Sequence, residues 1–206
     1  MSSAKSSKSL LPIRAVFLDR DGVINRKAPA SEYITRWSEI EFLPGSIEAV
    51  ALLNKSGFEV IVVTNQRGIA TGKIKLSNLE EINRRIKAAI SEKNGALSAI
   101  YYCPHDTSDD CTCRKPRPGM LLHAANIHCL DLSKCWMVGD SPSDIEAGKR
   151  AGCRTALIAS SHVVKDVNAQ ADICEESLIL AVDEIFQIER CEQFKCAPQK
   201  NLLAKT

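Results

Sequence analysis

Four short apolar runs, each stopping at residues that can do chemistry, constrain this chain more than any other feature. Ala15-Val16-Phe17-Leu18 stops at Asp19, and Phe58 to Val63 stops at Thr64-Asn65. Ala99 to Tyr102 leads into a Cys/His-rich stretch and then Arg114-Lys115-Pro116, and Trp136-Met137-Val138-Gly139 stops at Asp140. Short apolar runs bounded by turn residues read as buried strands. A fifth run covers Thr155 to Ala159. Helical patterns separate the runs. Pro44-Gly45 opens a segment with apolar Ile47, Val50 and Leu53 that Gly57 should end. Ser77-Asn78-Leu79-Glu80 reads as a capping box before Ile82, Ile86 and Ile90. Pro118 to Asn126, Asp144 to Ala151 and Ser177 to Ile188 read as helices. Strands alternating with helices predict an α/β fold: a Rossmann-like, mostly parallel sheet with helices on both faces. In such a sheet the strand ends share one edge, and ligands bind there.

With 206 residues, 45% of them hydrophobic, the chain is long enough to bury one proper core. The expectation is a single domain over 13–190, a disordered N-terminal tail over 1–12 and a frayed C-terminal tail over 191–206. The N-terminal residues are basic and Ser-rich, without the apolar stretch of a secretory signal, and no run is long enough to span a bilayer. A cytoplasmic protein is expected. The 27 basic and 25 acidic residues leave a net charge of +2, which gives no footprint for nucleic acid or an anionic membrane. Nine cysteines cannot all pair internally, and in a reducing compartment metal ligation is the better use for a cluster of them. Cys129, Cys135, Cys153 and Cys174 stand in apolar surroundings and read as small core residues.

Asp19-Arg20-Asp21-Gly22 puts two carboxylates just past the first strand, with a glycine to turn the backbone. One carboxylate can attack and the other can give and take protons, which suits phosphoryl transfer through an aspartyl-phosphate. Thr64, Lys115 and Asp140 arrive at the same edge from the other strands. Asp144 reads more simply as an acid in the first turn of a helix. Cys103-x-His105 and Cys111-x-Cys113 supply three thiolates and an imidazole, a complete tetrahedral set for Zn²⁺ with no open position, hence a structural site. Asp106, Asp109 or Asp110 could replace one of them, but softness favours the thiolates, leaving the acids as a solvated tip. The loop runs directly into Arg114-Lys115 and would fix the backbone that aims both side chains.

The Asp19/Asp21 pair, Thr64, Lys115 and Gly139-Asp140-x-x-x-Asp144 occur in the order of the four signatures of the haloacid dehalogenase superfamily, which the chain resembles from Ala15 to Ala159. The resemblance implies Asp19 as nucleophile, ionised as an ordinary carboxylate, and Asp21 as acid and base. It implies Thr64 as a phosphate donor and Lys115 as charge compensation. It also implies Mg²⁺ held by Asp19, Asp140 and the backbone carbonyl of Asp21. Asp144 would support the metal site from outside its ligand set.

Cys111-Thr112-Cys113-Arg114-Lys115-Pro116-Arg117-Pro118-Gly119-Met120 and Thr64-Asn65-Gln66-Arg67-Gly68-Ile69-Ala70 are similar to the D-glycero-D-manno-heptose 1,7-bisphosphate 7-phosphatases. Histidinol-phosphate phosphatases share the metal loop and are the alternative, alongside other small-molecule phosphatases. A catalytically inactive, zinc-stabilised binding protein of the same fold fits less well with intact Asp19, Asp21, Lys115 and Asp140. Two features depart from the heptose pattern: the stretch Arg26 to Ile40, and Ser141 where those enzymes commonly carry Lys. About forty residues separate Asp21 from Thr64 and about fifty separate Thr64 from Lys115. Both intervals are already filled, so no separate cap domain is expected and short loops define the pocket. Asn65, Gln66, Arg67 and Arg114 are the expected substrate-binding residues, with Arg114 meeting a second anionic group. Arg26 and Lys27 are further candidates. The expected partner is a small phosphorylated sugar, and the expected state a monomer.

Overall fold

The computed structural model describes residues 13–159 and 171–195, the last three through their backbone only. Six strands form one sheet: β1 (Ala15–Leu18), β2 (Glu59–Asn65), β3 (Ala99–Cys103), β4 (Trp136–Gly139), β5 (Arg154–Ile158) and β6 (Ile173–Glu175). Their order is β3-β2-β1-β4-β5-β6, and every pairing is parallel. Among the described residues five α-helices accompany them: α1 (Ser46–Lys55), α2 (Leu76–Ser91), α3 (Gly119–His128), α4 (Pro142–Ala151) and α5 (Leu178–Lys195).

Alternation along the central strands divides the core. Val16, Leu18, Val60, Val62 and Val138 face α1, α2 and α5 through Leu53, Ile82, Ile86 and Val182. Ala15, Phe17, Ile61, Val63 and Met137 face α3 and α4 through Met120, Leu121 and Ala147. Strands covered on both faces need apolar residues at every position, which is why these runs are continuous rather than alternating. Burying one such side chain is worth about 1.5–3 kcal/mol.

The strand order reverses around β1. The chain winds outward from β1 to β2 and β3, then crosses back to lay β4 on the other side of β1. The gap between β1 and β4 is therefore the switch point, where the connections diverge and leave a crevice. Leu18 pairs with Val62 on one side and Val138 on the other, and the Asp19 N–H bonds Val138 O at 2.9 Å. Asp19 thus emerges at the mouth of that crevice. Asn65 is in register with Cys103, which ties the first residue of the Cys/His loop to the end of β2.

Several local expectations change. Helix α2 begins at Leu76, with extended Lys75 before it and no side-chain cap, so Ser77 and Glu80 lie inside the helix. Placing Leu79 and Ile82 in the core sets its phase. Capping boxes occur instead at Ser141/Asp144, which opens α4 two residues earlier than its apolar pattern suggested, and at Asp106/Asp109 in the Cys/His loop. Strand β6 is only three residues long, too short to stand out in sequence. Helix α5 continues beyond Ile188 to Lys195. Cys135 and Cys153 are buried, but Cys129 and Cys174 are exposed; Cys129 ends α3 in a left-handed conformation (φ 53°). The tail expected over 1–12 and residues 196–206 lie outside the described residues. Among those described, no helix is long and apolar enough to cross a membrane.

Candidate active site

Lys115 is the hub of the strand-end edge. Its side chain is only 2% exposed, and its Nζ contacts Asp19 Oδ1 at 2.9 Å, Asp144 Oδ1 at 2.6 Å and the Val63 carbonyl oxygen at 2.8 Å. Burial disfavours the ammonium, but the two carboxylates outweigh it and hold its pKa above the ordinary lysine value. Asn65 clamps the Lys115 backbone from both sides: its Nδ2 donates to Lys115 O and its Oδ1 accepts from Lys115 N, each at 3.1 Å.

Asp19 is 9% exposed. Burial pushes its carboxyl up to about 7; Lys115 opposes that rise and Asp144 adds to it. The expectation of an ordinary carboxylate is thus corrected, because the crevice that shelters Asp19 removes most of its hydration. Asp21 behaves oppositely. Burial alone would raise it, but the paired Arg20 guanidinium and hydrogen bonds from Asn25 and Gln66 lower it below the usual range. Arg20 reaches Asp21 with Nε at 3.1 Å and Nη2 at 2.8 Å, a two-pronged grip. Gln66 Nε2 donates to Asp21 Oδ2 at 3.0 Å and to Thr64 Oγ1 at 2.9 Å. Thr64, Asn65 and Gln66 thus form one scaffold at the end of β2.

Asp140 and Asp144 come from β4 and α4. Asp144 is fully buried; its Oδ2 accepts from Ser141 N and Ser141 Oγ, and its Oδ1 faces Lys115. Gly139 is required there, since a Cβ would collide with the Asp144 side chain. Asp140 Oδ2 pairs with Lys27 Nζ at 2.5 Å, while Asp140 Oδ1 is buried without a hydrogen-bond partner. Burial raises the Asp140 carboxyl, with Lys27 opposing. Gly22, at φ +97°, brings the backbone against Asp140, where a Cβ would overlap Oδ2. Asp19, Asp140 and Asp144 each place a carboxylate oxygen within 4.8 Å of the others. Asp144 Oδ2 is engaged by Ser141, and its Oδ1, which has no hydrogen bond of its own, lies 2.6 Å from the Lys115 ammonium, whose positive charge disfavours a second cation there; Asp19 and Asp140 are the better placed oxygens to ligate. An orphaned buried carboxylate oxygen costs about 1–3 kcal/mol, and a hard divalent cation is the partner it suits.

The Cys/His loop gathers a second potential metal site. Cys103 Sγ lies 3.5 Å from His105 Nδ1, 3.6 Å from Cys111 Sγ and 3.3 Å from Cys113 Sγ, and His105 Nδ1 is 3.2 Å from Cys113 Sγ. Four ligands held at about 2.0–2.3 Å from one ion sit roughly 3.3–3.8 Å apart, so the cluster fits a tetrahedral ion. The acids beside it are not simply a solvated tip. Asp106 pairs with Arg67 at 2.6 Å and Asp110 pairs with Arg117. Arg67, expected to bind substrate, is thus tied to the loop. Arg26 is likewise paired, with exposed Glu41.

A cleft of about 400 Å³ opens beside Lys115, bounded by Asn65, Ser143, Arg114, Arg117 and Arg150. Arg117 and Arg150 are neutralised by Asp110 and Glu146. Among the described residues Arg114 pairs with no carboxylate; its Nη1 reaches only the His105 carbonyl oxygen at 3.5 Å. Sequence reasoning overlooked Arg20 and Asn25 as builders of the centre, and offered Lys27 only as a candidate for an anionic group of the substrate, not as the partner of Asp140. The clue for Arg20 was its place between two aspartates; nothing local pointed Lys27 at Asp140.

A buried carboxylate at the switch point of a doubly wound sheet, gripped by a buried lysine, matches the plan of a HAD-like hydrolase. The HAD-hydrolase-like family model matches residues 112–177. The chain is 42% identical over 159 residues to a D-glycero-beta-D-manno-heptose-1,7-bisphosphate 7-phosphatase of Pseudomonas aeruginosa, covering 77% of this chain and 85% of that one. It is 32% identical over 188 residues to the Escherichia coli K12 protein of the same name, covering 88% and 96%. The crystal structure of D,D-heptose 1,7-bisphosphate phosphatase from Bordetella bronchiseptica, complexed with magnesium and phosphate, superposes with a TM-score of 0.75. That protein is 32% identical, with 85% of this chain and 99% of that chain covered. The chain belongs to the D-glycero-D-manno-heptose 1,7-bisphosphate 7-phosphatase family of phosphomonoester hydrolases.

Proposed function

We propose that this chain removes the 7-phosphate of D-glycero-D-manno-heptose 1,7-bisphosphate through an aspartyl-phosphate on Asp19. One observation carries the chemistry: a buried Asp19 carboxylate at the switch point, 2.9 Å from Lys115 and grouped with the unsatisfied Asp140. Asp19 attacks phosphorus, and Lys115 favours its ionised form while offsetting charge on the transferring oxygens. Asp19, Asp140 and the carbonyl of Asp21 would hold Mg²⁺, which when bound screens the phosphate charge from the nucleophile. Thr64 donates its hydroxyl hydrogen to the phosphoryl group. Asp21, held as an anion by Arg20, is ready to take a proton from the water that opens the intermediate. To protonate the leaving oxygen in the first step it must already carry a proton taken up from solvent, which the Arg20 pair disfavours; the proton it gives to the leaving oxygen is then replaced by the one it takes from the attacking water.

Cys103, His105, Cys111 and Cys113 would hold a structural Zn²⁺. Burial pushes the Cys103 thiol up to about 12, so the thiolate form needs a cation beside it. Arg114, without a carboxylate partner, meets the remote 1-phosphate. Asn65 and Gln66 act mainly by holding Lys115 and Asp21. The enzyme works as a cytoplasmic monomer on a small phosphorylated sugar, which suits thiolates that must stay reduced. Comparing kcat/KM for the heptose bisphosphate and for histidinol phosphate tests the reading. A large preference for the bisphosphate is expected; higher efficiency on histidinol phosphate moves the chain to the alternative substrate.

A further inference from the structure

Lys27 lies on the 26–40 stretch whose role the catalytic reading leaves open. Its ammonium is 2.5 Å from Asp140 Oδ2, on the carboxylate whose other oxygen is the orphan. Its stem crosses Gly22 so closely that a Cβ there would meet Lys27 Cε at 2.8 Å. Half of the side chain is exposed, and it also borders a cleft of about 200 Å³ with Arg20, Asp21, Tyr33 and Gln66. That cleft opens onto the Asp21 carboxylate.

A carboxylate shared by an ammonium and a doubly charged ion brings two like charges together, and the charge product is twice that of two monovalent ions. The lysine is the party that can leave. It has a flexible four-carbon stem and solvent on one side, and its head is a strongly hydrated point charge. We propose that Lys27 and the divalent cation are alternative partners of Asp140. Lys27, once released, turns into the adjoining cleft and holds the oxygens of the incoming phosphate. The segment that carries it thereby couples metal loading to phosphate capture. This rests on the reading that Asp19 and Asp140 ligate Mg²⁺.

Pulse acylation of the full chain, read by mass spectrometry at Lys27 with exposed Lys93 as internal reference, tests the exchange. Labelling is expected to be low without added divalent ion, to rise several-fold with saturating Mg²⁺, and to fall again when inorganic phosphate is added. Calorimetric Mg²⁺ titration gives a second readout. Lys27→Met removes the competitor and should tighten Mg²⁺ binding about fivefold, the scale of a half-exposed ion pair. If Lys27 instead stays on Asp140 and merely orients it, labelling is unchanged and Lys27→Met weakens Mg²⁺; either result overturns the exchange. Labelling that rises with Mg²⁺ but is untouched by phosphate overturns the capture step. Absence of any Mg²⁺ binding to the wild type sinks the ligand assignment and the exchange together, whereas Mg²⁺ binding with constant Lys27 labelling sinks only the exchange.

Discussion

The carboxylate–lysine centre and the Cys/His loop lie side by side but are held together in opposite ways. The centre draws Asp19, Thr64, Lys115, Asp140 and Asp144 from positions far apart in the chain, and four parallel strands bring them together. The loop takes all four of its ligand candidates from Cys103 to Cys113. The centre is therefore positioned by the hydrophobic core. In the loop only Cys103 is buried in that core, with Cys111 and Cys113 packed against its edge, so under the proposed zinc site the ion would supply most of the loop's order. The two meet at Lys115, which follows Cys113 by two residues and is clamped by Asn65. A local cluster of candidate ligands thus adjoins the backbone of a side chain that belongs to a non-local centre.

Substitutions can break this division of labour. Asp19→Asn should remove the nucleophile while leaving the sheet intact, costing on the order of 10⁴-fold or more in turnover. Steady-state phosphate release together with a thermal melt checks it; near-normal turnover would refute the nucleophile. Cys111→Ser should do what Asp19→Asn does not, lowering stability and activity together. A loss of about 3 kcal/mol corresponds to a Tm drop on the order of 10 °C for a chain of this size. Elemental analysis should show about one zinc per chain in the wild type and much less in the variant. An active, folded wild type without zinc would refute the structural site.

Arg114→Ala probes the junction. It should weaken the heptose bisphosphate by about 1.5–3 kcal/mol, the scale of a hydrogen bond to a charged group, and a simple aryl phosphate little. The kcat/KM of both substrates decides, and equal losses on both would argue against a second-phosphate contact. The smallest effect is expected for Ser141→Ala, which loses the cap of α4 but keeps Asp144 on Lys115. About 1 kcal/mol of stability should go, with activity reduced less than for the other variants, as denaturant melts and turnover will show.

Much of the frame was legible because β-sheet physics writes itself into sequence. Strands covered on both faces must be continuous apolar runs, and Ala15–Leu18 and Trp136–Gly139 could be little else. The Cys/His cluster was legible because its candidate ligands are local and chemically distinctive. The α2 start was misread because Ser77-x-x-Glu80 matches a capping box by type, while burial of Leu79 and Ile82 decides where the helix begins. Strand β6 was missed because three residues carry no periodicity.

By itself, then, the sequence determined the order of the first five strands and the helices around them, the residue types at those strand ends and the candidate ligands of the Cys/His loop. These depend on local propensity, burial pattern and ligand chemistry. Only the tertiary structure decided the pairings: Arg20 on Asp21, Lys27 on Asp140, Arg67 on Asp106, and Asp144 on both Ser141 and Lys115. It also decided that burial pushes the Asp19 carboxyl up while Arg20 holds Asp21 below the ordinary range. The physical reason is the same for all of these. A side chain's charge depends on how much water the fold removes and on which partners the fold brings across long stretches of chain, and no local pattern encodes either.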